Sequence, residues 1–92
     1  MANETQHTQT PWKIEPCLDG SIFIEHKGKY IAHIESESGK ATAEDTSNSR
    51  LIAASPDLLT ACKKALIHFE HDNTNKGVQE DLRQAIAKAE GK

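Results

Sequence analysis

Aromatic residues are scarce, with two Phe, one Tyr and one Trp among 92 residues. Strong core formers are also few: Leu, Ile, Val and Phe together fill 17 positions. So low a fraction signals disorder only when net charge is large, and here it is −3. The combination predicts one small domain with a thin core. No apolar run nears the ~20 residues of a membrane span, and no membrane segment is expected. The first ten residues, MANETQHTQT, lack the basic and apolar stretches of a secretion leader; residues 1–10 read as a flexible tail. Cys17 and Cys62 stand far apart without CxxC spacing, which fits a reducing cytosol and argues against a disulfide scaffold. A basic excess is missing too. Residues 1–42 carry four basic against six acidic groups, and residues 43–92 seven against eight. Affinity for phosphate backbones rests on such an excess, so nucleic acid is not an expected partner.

What is present first is strand chemistry. Trp12 and Ile14 alternate, Pro16 and Asp19-Gly20 punctuate, and Ser21–Ile34 is rich in β-branched and aromatic types. Lys27-Gly28 reads as a two-residue turn. Such a turn pairs His26 with Lys29, Ile24 with Ile31 and Ile22 with His33. It places Ile22, Ile24 and Ile31 on one face, and Phe23, Tyr30, Ala32 and Ile34 on the other. Neither face is polar, so a second copy or a partner is expected over one of them. A slightly longer turn would instead shift the register and merge the two sets.

Residues 35–49 form a polar connector that ends in helix-start chemistry. Asp45, Thr46 or Ser47 is expected to cap a short helix, about 44–54, carrying Leu51 and Ile52 and ended by Pro56. Ser55-Pro56-Asp57 restarts a second helix over 56–71. Leu58, Leu59, Cys62, Leu66 and Phe69 form its stripe, with Ile67 off the stripe on the Lys63 side. After Asp72–Asn75 a last helix, 76–90, gathers Val78, Leu82, Ala85, Ile86 and Ala89. The expected fold class is α+β: a three-stranded antiparallel β-meander within residues 11–35, then a short helix and an α-helical hairpin packed on one sheet face. Residues 11–92 then make a single small domain.

The segment Asn48–Leu59, NSRLIAASPDLL, resembles the "NARLIAAAPDLL" segment of small bacteriophage and prophage proteins. Those proteins similarly open with Thr-Pro-Trp, here Thr10-Pro11-Trp12, followed by a Gly-turn hairpin, here around Gly28. The likeness spans roughly residues 10–70 and departs at Ser49 and Ser55, where the family more often has Ala. It implies a phage-associated origin and a setting in the host cytosol; it supplies no reaction and no catalytic residue.

Chemistry-bearing motifs are missing as well. There is no phosphate-binding glycine loop, no nucleophile elbow and no HExxH. Cys62 falls on an apolar stripe, where a thiol behaves as a small hydrophobe; Cys17 reads as an exposed loop thiol. Glu35 and Glu37 read as a solvated strand end. His68 and His71, one helical turn apart beside Glu70 and Asp72, could touch one ion, but a structural zinc takes four ligands. No catalytic residue, metal or cofactor is expected. The expected function is that of a non-catalytic phage accessory protein. It would bind a host protein in the host cytosol and inhibit a defence system or host enzyme, through Trp12, Phe23, Tyr30, Ala32 and Ile34. A homodimer is compatible with this. The alternative is an oligomeric binder of a nucleotide signal, using Lys27, Lys29, Tyr30 and Arg50.

Overall fold

The computed structural model describes residues 7–92. Strands β1 (Lys13–Pro16), β2 (Ile22–His26) and β3 (Lys29–Ile34) precede helices α1 (Ala43–Asp72) and α2 (Lys76–Ala89). The strands form one antiparallel sheet in the order β1-β2-β3, which is the α+β arrangement expected. The chain divides into two compact units, Met1–Ala54 and Ser55–Lys92, so the division falls inside α1. The flexible tail expected over residues 1–10 lies, for residues 1–6, outside the described residues; from the remainder, the Thr8 carbonyl accepts the Trp12 indole N–H at 3.0 Å.

In the first unit, the turn between β2 and β3 is the two-residue one expected. Lys27 and Gly28 both sit at positive φ, 48° and 84°, and this twist matches that of the strands they join. A side chain secures it: Glu25 Oε1 accepts the Gly28 N–H at 2.9 Å. Between β1 and β2, Asp19 Oδ1 accepts both the Ser21 N–H, at 2.9 Å, and the Ser21 hydroxyl, at 2.6 Å. These donors, the hydroxyl foremost, hold the Asp19 carboxyl below its ordinary pKa. Gly20 has φ 90°, and a Cβ there would stand 2.6 Å from the Gly39 carbonyl carbon and the Lys40 nitrogen. Glycine is therefore required by both conformation and space.

The register departs from expectation partway along β3. Glu25 pairs with Tyr30 but Ile24 pairs with Ala32, leaving Ile31 as an extra residue in a β-bulge. Beyond it, Phe23 pairs with His33 and Ile22 with Ile34. Directly paired residues share a face, so Ala32 and Ile34 join Ile22 and Ile24 instead of Phe23 and Tyr30. His33 moves the opposite way. The turn and the strand's apolar alternation demand phases one residue apart, and the bulge satisfies both. Ile24 is fully buried and Ile22 nearly so, and they are the buried Leu, Ile or Val side chains among the described residues, with Pro56 of α1 buried as well.

Helix α1 begins one turn earlier than its expected caps. Thr42 Oγ1 accepts the Asp45 N–H at 3.0 Å and Asp45 Oδ2 accepts the Thr42 N–H at 3.1 Å, a reciprocal capping box. Ser49 is fully buried; its hydroxyl donates back to the Asp45 carbonyl at 2.8 Å, which satisfies it within its own helix. The expected break at Pro56 does not occur, and the two predicted helices are one, with Pro56 inside. Proline removes a single N–H from the ladder, and the alanine- and leucine-rich turns on both sides carry the helix past it. Ser55-Pro56-Asp57 is a helix start by residue type and a helix interior in fact.

In the second unit, α1 ends on Asn73 at φ 56°. The Thr74 N–H reaches the Phe69 carbonyl and the Asn73 N–H the Glu70 carbonyl, the Schellman pattern with Asn in the glycine position. Gln79, buried on α2, closes the hairpin. Its Nε2 donates to the carbonyls of Phe69 at 3.2 Å and Thr74 at 2.8 Å. Arg83 pairs with Glu70 at 2.9 Å, and Lys63 pairs with Glu90, holding the Glu90 carboxyl below its ordinary pKa. The predicted stripe residues Leu59, Cys62, Leu66 and Phe69 are half-buried and Leu58 is exposed. Among the described residues no helix is long and apolar enough to cross a membrane.

Candidate partner-binding surface

Once the bulge is in place, one sheet face carries Lys13, Glu15, Phe23, Glu25, Tyr30 and His33, as the pairing of β1, β2 and β3 dictates. At its centre the three rings are stacked. Phe23 lies 4.3 Å from Tyr30, the planes 23° apart, and 4.3 Å from His33, the planes 9° apart. Without a bulge, Tyr30 and His33, three positions apart, would point to opposite faces; the extra Ile31 brings both over Phe23. Tyr30 is 60% exposed and His33 is exposed, while Phe23 between them is half-buried. A large ring held by its neighbours yet open to water has lost most of its rotamer freedom before meeting a partner. Opposite charges border the rings, since Lys13 pairs with Glu25 across β1 and β2.

Of the five residues expected on this surface, the structure brings Phe23 and Tyr30 together. Ala32 and Ile34 lie on the opposite face with Ile22 and Ile24. Trp12 is half-buried just before β1, in edge contact with His7 at 5.9 Å. His33 was not legible, because unbulged pairing opposes it to Ile22. A signal existed, however: Ile22-x-Ile24 and Ala32-x-Ile34 alternate in a phase that the Lys27-Gly28 turn cannot deliver without an extra residue.

A hollow of about 330 Å³ at the end of the sheet is lined by Pro11, Lys13, Glu25, His26, Lys27 and Gly28. Of Lys27, Lys29, Tyr30 and Arg50, it contains Lys27 alone. The Glu25 carboxylate shares the lining, and His26 Nδ1 is 2.9 Å from the Pro11 carbonyl oxygen. His68 and His71 are both exposed, and each approaches Asp72 at 3.3 Å. Among the described residues no group of three or more His, Cys, Asp or Glu could hold a metal ion. Cys17 and Cys62 are free thiols, both half-buried.

Compared with known protein families, the chain matches over residues 1–92 the family described as Salmonella phage P22 protein Y8K6. No curated protein and no solved structure matches it.

Proposed function

The chain belongs to this phage P22 protein family, and on that premise we propose that it is a non-catalytic accessory protein that docks on a host protein. The docking surface is the aromatic face of the sheet, with Tyr30 as its exposed anchor, stacked on a central Phe23 that His33 flanks on the other side. Docking takes place in the host cytosol and blunts a defence system or redirects a host enzyme. The observation that carries this reading is the exposed, pre-stacked Tyr30, since tyrosine in a rigid setting is among the most frequent interface anchors. The mixed charges around it, and the net charge of −3, favour a protein partner over a phosphate backbone.

The test is capture from lysates of phage-susceptible cells by the tagged full chain, followed by affinity measurement on the purified pair. Tyr30→Ala is expected to weaken binding at least tenfold, the equivalent of about 1.4 kcal/mol. Arg50→Ala is expected to leave it unchanged, and circular dichroism should be unaltered in both. Capture that survives Tyr30→Ala and Phe23→Ala overturns the reading. So does a nucleotide that co-purifies and is lost in Lys27→Ala and Arg50→Ala.

A further inference from the structure

The rings of the aromatic face stand beside carboxylates. Cross-strand pairing sets Glu25 directly beside Tyr30 and Glu15 directly beside Phe23. Glu25 is held in place, because its Oε1 accepts the Gly28 N–H at 2.9 Å. Neither carboxylate joins an ion pair among the described residues. Phe23 stacks on one side of Tyr30 and the Tyr30 ring is 60% exposed, so its other π-face is open. Lys13, the lysine of this face, stands on β1 with Glu25 between it and Tyr30. All of these residues belong to the unit that ends at Ala54, so the geometry of the site is set within that unit. The same unit carries the whole net charge of the chain. Residues 1–54 hold five basic against eight acidic groups, and residues 55–92 six against six.

Resting on the docking reading above, we infer that this site takes an arginine of the partner protein, its guanidinium laid on the open face of Tyr30 and paired with the Glu25 carboxylate. The face of an aromatic ring is negative and attracts a cation. A guanidinium is planar, so it stacks through its face while donating N–H groups from its edge. An ammonium has no such plane and gives up one contact for the other. Here ring and carboxylate lie side by side on neighbouring strands, with Cβ atoms about 4.5–5.5 Å apart. One guanidinium can meet both. A carboxylate already held by Gly28 has little freedom left to lose on pairing, and Glu15 adds a second negative charge beside the rings. A carboxylate or phosphate of the partner would instead be repelled by Glu15 and Glu25 at short range. The acidic balance of the whole unit acts in the same direction, since it steers a basic surface toward this face.

Nuclear magnetic resonance titration of the isotope-labelled full chain tests it, with N-acetylarginine amide as the probe and the lysine and glutamate equivalents beside it. The arginine probe should shift the backbone amides of Glu25 and Tyr30 saturably. The lysine probe should bind about threefold or more weaker, and the glutamate probe should leave these amides unmoved. Glu25→Gln keeps an oxygen for the Gly28 N–H and should weaken the arginine probe about threefold or more. Glu37→Gln, which changes the net charge equally from the connector, should not. An arginine probe that shifts neither amide, or that binds Glu25→Gln as well as wild type, overturns the inference. So does a lysine or glutamate probe that binds as well as arginine. With the purified host partner, affinity that falls in Tyr30→Ala but is unchanged in Glu25→Gln overturns the arginine site and leaves the docking reading standing. Affinity indifferent to Tyr30→Ala overturns both. A wild-type chain that sediments as a dimer lost in Tyr30→Ala makes the face a self-contact, and overturns the arginine site equally.

Discussion

In the unit that ends at Ala54, two isoleucines of β2 are shut away from water. In the unit that begins at Ser55 no Leu, Ile or Val side chain is, and Pro56 and a glutamine are instead. The first unit is organised by strand register, a turn at positive φ and a bulge that reconciles them. Non-directional burial then rewards the correct register, because a one-residue slip would turn Ile22 and Ile24 outward. The second unit is organised by directional contacts: a Schellman ending, a glutamine on two carbonyls and two ion pairs between helices. Such contacts specify geometry well but contribute modest net stability each. One unit is thus held by what it hides, and the other by what it ties.

The sharpest way to break that contrast is to empty the core of the first unit. Ile24→Ala removes a fully buried side chain and should cost about 2–5 kcal/mol. Denaturant unfolding followed by Trp12, the single tryptophan, reads it. A loss below 1 kcal/mol, the scale of an exposed site, would mean that β2 does not supply the core.

Next in size is Gln79→Leu, where the sign matters more than the magnitude. If the hairpin simply lacks apolar area, leucine at this buried position stabilises it. If the glutamine clamp organises it, the Thr74 carbonyl loses its donor and the Arg83 guanidinium, which donates to Gln79 Oε1 at 3.0 Å, loses an acceptor, and the variant is destabilised by about 1–3 kcal/mol. We expect the second outcome, read by thermal unfolding in the far ultraviolet, where helix dominates.

The two units also differ in how far they could be read from residue types. The meander was legible because glycine and proline punctuate it and Lys27-Gly28 admits few conformations. The bulge was not, since it arises from a conflict between two correct local signals that is resolved only when the strands pair. Two members of the anticipated docking face, Ala32 and Ile34, were misplaced for that reason alone. In the helices the stripes were legible and the ends were not. Thr42 caps α1 through its exchange with Asp45, while Ser55-Pro56-Asp57, a strong start signal, is overridden by good helix formers on both sides. Gln79 gave no signal at all, because a glutamine on a polar helix looks like solvent-facing surface until the turn brings two carbonyls to it.

The smallest expected effect compares the units by acid. Asp19 in the first and Glu90 in the second both have folded-state pKa values below their ordinary ones, owing first to the Ser21 hydroxyl and to the Lys63 ammonium respectively. For a depressed carboxyl, the folded state binds fewer protons than the unfolded chain. The stabilisation is therefore fully present above the unfolded pKa, and is lost as pH falls through the folded value. Both groups act in the same window, below about pH 4.5, and both are exposed, so the slopes are shallow. Ser21→Ala should flatten the acid limb seen by Trp12 fluorescence, and Lys63→Met the limb seen by the helix signal. If Ser21→Ala leaves the fluorescence limb unchanged, the Asp19–Ser21 bond is not what ties the first unit's stability to pH. The contrast between a buried and a tied unit then rests on Ile24 and Gln79 alone.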